Sequence, residues 1–140
     1  IGRIYGVDVS KYTTTSFKDV EANAWYTPYV AWAAENGIVL GRDETTFDPY
    51  ANISREEMAA IMYRFCKFLG CDMTLKNQVF MDRYEDAKLI SPWAEQYVQW
   101  AVGIGLMRGR THTTIDPLDL ATRAEVAQVI KNLCDKVLYQ

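Results

Sequence analysis

The sequence of this chain contains an internal repeat. The segment Ala-Thr-Arg-Ala-Glu at 121–125 matches Ile-Ser-Arg-Glu-Glu at 53–57, and the two arginines are separated by 123 − 55 = 68 positions. At this offset, residues 25–65 align with residues 93–133 without a gap, and 15 of the 41 pairs are identical. Chance would give about two or three identities, so we infer a duplicated module.

Each copy of the motif predicts the start of a helix. Ser54 and Thr122 are good N-cap residues, and a glutamate follows each of them three positions later, which is the spacing of a capping box. Apolar residues then recur at three- and four-residue steps and indicate one apolar face on each helix. The capping box does not account for Arg55 and Arg123, since an arginine in the first turn meets the positive end of the helix dipole. We interpret the repeated arginine as a pointer to function.

An earlier helix is predicted in each copy by aromatic residues at helical spacing. Asn23 is the expected N-cap of the first of these helices, and Ser91, which precedes Pro92, is the expected N-cap of the second. Aromatic residues on such helices usually belong to the core, and we expect Trp25 and Trp93 at the rim to be the exceptions. The other aromatic residues of the pattern are Tyr29, Trp32, Tyr97 and Trp100.

An ordered loop is predicted between the two helices of each copy. Residues 41–49 and 109–117 both begin with Gly-Arg, continue with Thr-Thr and an apolar residue, and end with Asp-Pro. Glycine permits positive φ, and Asp-Pro begins a turn. Phe47 and Ile115 are the expected apolar anchors of these loops.

The repeats divide the chain into three expected parts. Gly6 aligns with Gly70 at an offset of 64, so residues 1–12 are expected to be the tail of a preceding, truncated repeat. Residues 13–72, which open with a polar linker, and residues 73–140 are expected to form one repeat each. Hydrophobic residues make up 49% of the chain, which is enough for the repeats to share one core.

Composition argues against several classes of function. A net charge of −3 and a pI near 5.1 argue against nucleic-acid binding, which needs clustered Lys and Arg. No run of 18 apolar residues is present, so membrane insertion is not expected. Cys66 and Cys134 occupy corresponding positions and are expected to be buried thiols, whereas Cys71 has no counterpart. No Cys or His spacing suits zinc, and His112 is the single histidine, so a metal site is not expected. No cofactor is expected either.

Together these motifs resemble the S-layer homology (SLH) repeat of bacterial surface proteins. In order they are aromatic-x-Asp, Trp, Tyr/Val-x-Trp-Ala, Gly-Ile/Leu, Gly, Thr-Thr-apolar-x-Pro and Ser/Thr-Arg-x-Glu, over residues 17–69 and about 84–138. The resemblance implies an all-α fold of tandem repeats. Each repeat would consist of two helices joined by an ordered loop and packed as part of a pseudo-threefold spindle. An SLH region commonly has three repeats, and this chain would carry the last two.

The resemblance also implies a function. It predicts a non-catalytic module, extracellular at the bacterial surface in the cell wall or S-layer, that anchors a protein without a covalent bond. Its expected partner is an anionic, often pyruvylated, secondary cell-wall polysaccharide, which it would bind in grooves between repeats.

The implied polysaccharide-binding residues are the motif arginines, the early aspartates, the loop glycines and two tryptophans on which a sugar ring can stack. They are Arg55, Arg123, Asp19, Asp86, Gly41, Gly109, Trp25 and Trp93. Asp82 competes with Asp86 for the second aspartate. We prefer Asp86, because its distance to Trp93 of seven residues is closer to the six between Asp19 and Trp25.

Arginine at a helix start suits a sugar that carries a carboxylate. The planar guanidinium can bind a carboxylate through two parallel hydrogen bonds, and free N–H groups of the first turn can bind the same anion. The alternative is that Arg55 and Arg123 form structural ion pairs with Asp19 and Asp86 or with the neighbouring loop. Arg42 and Arg110 are weaker candidates for ligand contact.

Two other classes of function compete with polysaccharide binding. A missing repeat would leave apolar surface that a second chain can cover, which predicts a protein–protein assembly module that forms an oligomer through its repeat surfaces. An enzyme is not expected, because the sequence offers no nucleophile–base–orienter set, no phosphate loop and no metal cluster.

Overall fold

The structure is a computed structural model and describes residues 1–139 of the chain. It is helical, and within those residues the only β pairing is one isolated antiparallel bridge between Ser54 and Leu120. The predicted all-α class is therefore confirmed. The α-helices are α1 (Gly2–Tyr5), α2 (Thr27–Glu35), α3 (Arg55–Phe68), α4 (Glu95–Gly103) and α5 (Arg123–Leu133). Short 3-10 turns lie at Val9–Lys11, Met81–Arg83 and Ala87–Leu89, and a π-helical turn lies at Cys134–Leu138.

The chain divides into two compact units, Ile1–Ala51 and Asn52–Gln140. This division does not follow the sequence repeats, because helix α3 of the first repeat lies in the second unit. The repeat boundaries inferred from the sequence and the pseudo-threefold spindle remain predictions. None of the helices described is both long and apolar enough to cross a membrane.

The first unit packs around a small aromatic core. Phe17, Tyr26 and Val30 are buried, and Phe47 packs against them with its ring centroid 5.3 Å from that of Phe17. Helix α1 lies against α2, where Tyr5 stacks on Trp32 at 5.2 Å. The expected apolar role of Phe47 is thereby confirmed.

The start of helix α2 differs from the prediction. The helix begins at Thr27, and the N-cap position is held by Tyr26, whose side chain makes no capping bond. A turn precedes it, in which the Thr27 N–H donates to the Ala24 carbonyl at 3.1 Å and the Thr27 hydroxyl donates to the Glu21 carbonyl. Asn23 therefore does not cap this helix, because the chain makes another turn before it.

Both predicted capping boxes are present in the second unit. The Ser54 hydroxyl accepts from the N–H of Glu57 at 3.2 Å, and the Glu57 carboxylate accepts from the N–H of Ser54 at 2.7 Å. At α5 the corresponding distances between Thr122 and Glu125 are 3.2 and 2.8 Å. Helices α3 and α5 therefore begin where the sequence predicts.

Helix α3 packs on α4, and a buried carboxylate joins their starting regions. Glu56 is 3% exposed, and its carboxylate accepts from the N–H of Ser91 at 2.9 Å and from the Ser91 hydroxyl at 2.6 Å. Ser91 is consequently not the N-cap of α4, which begins at Glu95, so that prediction is wrong. The core of this unit is apolar, and its fully buried side chains include Phe65, Met58, Leu106, Ile115, Leu133 and Val98.

Candidate functional site

Arg55 is buried at the start of α3, with 3% of its surface exposed. Its Nε donates to the Ile115 carbonyl at 2.8 Å, one Nη donates to the Arg108 carbonyl at 2.7 Å, and the other lies 3.0 Å from the Glu125 carboxylate. Burial lowers the pKa of Arg55, and the charge of Glu125 opposes that effect. Arg55 therefore matches the alternative of a structural ion pair, although its acidic partner is Glu125 and not Asp19 or Asp86.

Glu125 is shared between two arginines and the cap of its own helix. Arg110 places its Nε 3.0 Å from the Glu125 carboxylate, and donates to Asp119 at 2.7 Å and to the Leu120 carbonyl at 3.1 Å. The hydrogen bond from Arg110, followed by the Thr122 N–H and the charge of Arg55, lowers the pKa of Glu125 to about 2. Glu125 is therefore ionised at neutral pH and joins the N-terminus of α3 to the second loop.

Arg123 has the opposite environment, although it occupies the same position in its copy of the motif. It is exposed, and among residues 1–139 its guanidinium has neither an ion pair nor a hydrogen bond. The N–H groups of Arg55 and Glu56 donate to the carbonyls of Asp119 and Pro117, at 2.9 and 3.0 Å. Within the described chain, the backbone N–H groups of Arg123 and the residue after it donate no hydrogen bond. An available guanidinium beside open N–H groups thus exists at the start of α5 and not at the start of α3.

Asp19 and Asp86 hold the two loops in the same way. Asp19 accepts from the N–H groups of residues 47 and 48 at 2.9 and 2.6 Å, and Asp86 accepts from those of residues 115 and 116 at 2.9 and 2.7 Å. The structure therefore places Asp86, and not Asp82, in the position equivalent to Asp19. Both carboxylates have a structural use that the sequence did not indicate.

Gly41 and Gly109 occupy places where the loops leave no room for a side chain. A Cβ on Gly41, whose φ is +77°, would lie 2.5 Å from the Phe17 ring and 2.8 Å from the Thr46 carbonyl. A Cβ on Gly109 would lie 2.5 Å from the Thr111 carbonyl and 2.6 Å from the Tyr84 ring. Close packing accounts for glycine at both positions without a ligand.

Trp25 belongs to an exposed surface of the first unit, which we call the Arg3 surface and define by Arg3, Trp25 and Tyr29. Trp25 is 75% exposed. The Arg3 guanidinium lies 5.9 Å from the centroid of the Trp25 ring and 5.7 Å from that of Tyr29. Tyr26 meets Trp25 edge-on at 5.6 Å and fixes one side of the indole.

Trp93 belongs to a similar surface of the second unit, which we call the Arg64 surface and define by Arg64, Trp93 and Tyr97. Trp93 is 50% exposed, and its ring centroid lies 6.5 Å from that of Tyr97. The Arg64 guanidinium lies 5.2 Å from the Tyr97 centroid, and Tyr63 packs on the same ring at 5.0 Å. The rim exposure expected for both tryptophans is thereby confirmed.

Arg3 and Arg64 are not indicated by the repeated motifs of the sequence. They differ by 64 − 3 = 61 positions, so a search at the repeat offset of 68 does not pair them. Each arginine comes from the helix that precedes its aromatic partners, α1 for Arg3 and α3 for Arg64. Arginine one helix upstream of the Trp-x-x-x-Tyr pattern is the signal that could have found them.

The second unit also contains a cavity of about 430 Å³ between the end of α4, the segment after α3 and the π-helical turn. Trp100 lines it, and the indole N–H of this buried residue has no acceptor among the residues described. Cys71, Lys76 and Lys136 line the same cavity. The described residues contain no group of three or more His, Cys, Asp or Glu side chains that could hold a metal ion.

Comparison with known proteins identifies the repeated module. The sequence profile described as the S-layer homology domain matches residues 16–59 and 83–127. These matches include both motif arginines, both aspartates, both loops and both exposed tryptophans. They leave out Arg3 and Arg64.

Similar segments occur in several much longer bacterial proteins. The chain is 32% identical over 125 residues to the surface-layer 125 kDa protein of Lysinibacillus sphaericus, covering 87% of this chain and 10% of that protein. It is 36% identical over 121 residues to an endoglucanase of Bacillus sp. (strain KSM-635), covering 86% of this chain and 12% of that protein. It is 26% identical over 138 residues to the cellulosome-anchoring protein of Acetivibrio thermocellus, covering 96% and 30%. The chain thus spans a small part of each of these relatives.

Proposed function

The chain belongs to the S-layer homology domain family, and from that premise we propose that it anchors its parent protein by binding an anionic cell-wall polysaccharide. It is a cell-surface anchoring module located outside the bacterial cell. The proposal adds the ligand class, a polysaccharide whose sugars carry pyruvyl carboxylates, and the residues that bind it.

The observation that carries the proposal is the recurrence of an exposed arginine–aromatic surface in both units. In the Arg3 surface the arginine comes from residues 1–12 and the aromatic rings from the following repeat. In the Arg64 surface the arginine comes from the first repeat and the rings from the second. Both surfaces therefore span a junction between sequence segments, where the grooves of this family are expected.

The chemistry of these surfaces suits a sugar that bears a carboxylate. The exposed faces of Trp25 and Trp93 offer apolar platforms for a pyranose ring. An arginine held beside the platform can bind the carboxylate through two parallel hydrogen bonds, which a lysine ammonium does less well. Ring and charge would thus be recognised by neighbouring groups of one surface.

Arg123 would supply a second kind of carboxylate contact. Its guanidinium lacks a partner in the described chain, and the adjacent N–H groups of α5 are unpaired. A helix N-terminus with open N–H groups favours an anion, and an exposed arginine at the first turn adds its charge to that preference. Within the motif, we therefore assign ligand contact to Arg123.

The motif arginine of the first repeat, the two aspartates and the two loop glycines would have structural roles. Arg55, Asp19 and Asp86 hold backbone groups of the loops, and Gly41 and Gly109 let those loops close. We propose that they position the binding surfaces without touching the sugar. The proposed activity is binding alone, with no catalytic step.

Co-sedimentation with purified cell walls tests the ligand class. The chain should sediment with native walls and largely stay in solution with walls from which the pyruvyl groups have been removed by mild acid. Walls purified from a strain that cannot add the pyruvyl groups, and that never meet acid, serve as the control for other acid damage. Equal sedimentation with native and depyruvylated walls would refute carboxylate recognition.

The alternative function, assembly with another chain, is favoured by one observation. Arg55 is buried by the loop of the other copy, whereas the equivalent Arg123 is not covered within residues 1–139. A further module could cover that face. Light scattering distinguishes the two functions, because a monomer that sediments with walls supports anchoring alone, whereas a stable oligomer without wall binding supports assembly.

A further inference from the structure

The end of helix α3 brings two cysteines together through a specific backbone turn. Gly70 has a φ of +75°, its N–H donates to the Lys67 carbonyl at 3.0 Å, and the Cys71 N–H donates to the Cys66 carbonyl at 3.1 Å. These two bonds define a Schellman motif, in which the side chains of the first and sixth residues commonly contact each other. Here those two residues are Cys66 and Cys71.

The environments of the two thiols are complementary. Cys66 is fully buried, whereas Cys71 is half-buried and lines the cavity beside Trp100. Burial, together with the neighbouring Cys71, raises the pKa of Cys66 to about 12. Cys71 is thus the thiol that a reagent can reach, and Cys66 is the thiol directly behind it.

We propose that Cys66 and Cys71 are a modification site at which an intrachain disulfide forms outside the cell. Disulfides form and persist in oxidising surroundings such as cell surfaces. The proposal uses the extracellular location of the chain and does not depend on polysaccharide binding.

The chemistry requires a two-electron oxidant, for which a small-molecule disulfide is sufficient. The Cys71 thiolate attacks one sulfur of the oxidant, a mixed disulfide forms, and the first small thiolate leaves. Cys66 then attacks the Cys71 sulfur while its proton passes to the second small thiolate, which leaves as a thiol. One S–S bond is formed in the protein and one is broken in the oxidant, which is reduced to two thiols.

The backbone turn itself does not depend on the thiols. After helix α1, Gly6 has a φ of +81° and the Val7 N–H donates to the Gly2 carbonyl at 3.0 Å. The same turn therefore forms there with glycine and valine in the two positions. After α5 the chain continues into the π-helical turn, where the Tyr139 N–H donates to the Cys134 carbonyl at 3.0 Å, so the glycine turn does not form there. The thiol pair is a feature of one copy, placed on a turn already suited to it.

A disulfide at this turn would tie down the segment that covers the end of α4. Leu75 and Val79 approach Gly103 so closely that a Cβ there would lie 2.6 Å from each of them. The bond would therefore fix the start of the segment that lies on α4 and lines the cavity. Oxidation should stabilise the second unit without altering its helices.

Incubation of the full chain with oxidised glutathione, followed by intact-mass measurement and peptide mapping, tests the proposal. We expect the loss of two hydrogens, a cross-linked peptide containing residues 66 and 71, and a rise in Tm of about 5 °C that dithiothreitol reverses. Cys134→Ala should leave all three results unchanged. Cys71→Ser, at the more accessible site, should abolish the cross-link and the rise in Tm.

Other outcomes would overturn it. Glutathione retained on Cys71 without closure would show that Cys66 cannot reach the mixed disulfide. A cross-link that includes residue 134, or no change of mass in a chain that is folded by circular dichroism, would equally exclude the Cys66–Cys71 pair.

Discussion

The guanidinium of Arg55 lies 3.0 Å from the carboxylate of Glu125, so the arginine of one motif copy is bound by the glutamate of the other. The same glutamate closes the capping box of its own helix. Arg55 can occupy the first turn of α3 because its side chain reaches a carboxylate and two carbonyls outside that helix. The motif therefore joins successive repeats as well as starting a helix.

Arg55→Ala should destabilise the chain strongly. It removes a buried charge from its acceptors and leaves Glu125 and two carbonyls without that donor. Breaking a buried pair from one side typically costs about 3–5 kcal/mol. We expect a loss of this size in the free energy of unfolding, measured by urea denaturation.

The matched control is Arg123→Ala, the same substitution at the exposed position of the repeat. It should change the free energy of unfolding by less than about 0.5 kcal/mol. Similar destabilisation by both variants would show that Arg123 is also held by the fold, and its assignment as a ligand contact would fail.

Gly109→Ala should lower stability rather than binding. The added methyl group would lie 2.5 Å from the Thr111 carbonyl, which is a backbone atom and cannot rotate away. Overpacking of this kind costs about 1–3 kcal/mol. Thermal denaturation measures the effect. If the variant has an unchanged Tm but sediments less with cell walls, Gly109 contributes to ligand binding and not to stability.

Local signals of the sequence were sufficient for much of the fold. The caps at Ser54 and Thr122 were predicted because every group in a capping box lies within four residues. The start of α4 was not predicted correctly, because the Ser91 hydroxyl donates to Glu56, which lies 35 positions earlier in the chain. A long-range partner of this kind leaves no local trace, and Ser91-Pro92 therefore resembled a helix start.

The candidate site shows the same limit. Exposure of Trp25 and Trp93 was anticipated from their place at the rim of amphipathic helices. The burial of Arg55 could not be predicted from the sequence, because the carbonyl groups that it binds lie 60 and 53 positions later in the chain. In the repeat alignment Arg55 and Arg123 are equivalent. In the structure they differ, because the second loop packs against Arg55 whereas Arg123 is exposed.

Acid should destabilise the second unit through Glu125. Its pKa is lowered from 4.5 to about 2 in the folded chain, so the folded state favours the ionised form. The stabilisation is fully present above pH of about 4.5 and is lost as the pH falls towards 2. Because Arg110 is partly exposed, we expect about 2 kcal/mol from this group. Urea denaturation between pH 7 and pH 2 measures the loss.

Glu125→Gln is the control for this pH dependence. The amide cannot titrate, so the variant should be less stable at pH 7 and should lose less stability between pH 4.5 and pH 2. An acid profile identical to that of the unmodified chain would assign the pH dependence to other carboxylates.

Trp25→Ala and Trp93→Ala should weaken binding to native cell walls with little effect on stability. Both indoles are largely outside the core, at 75% and 50% exposure, so their removal leaves no large cavity. Loss of an aromatic platform and of its contact with the neighbouring arginine corresponds to about a tenfold weaker affinity for each surface. Quantitative co-sedimentation across a range of wall concentrations measures this, and the double variant should be weaker than either single one.

Phe80→Ala provides the matched control, because Phe80 is an aromatic residue that is 64% exposed and belongs to neither surface. It should bind as the unmodified chain does. Arg64→Lys refines the result, since it keeps the positive charge but removes the planar fork, and it should weaken binding more to native than to depyruvylated walls. If the tryptophan variants sediment like Phe80→Ala, neither arginine–aromatic surface binds the polysaccharide. Arg123 would then be the remaining candidate for ligand contact.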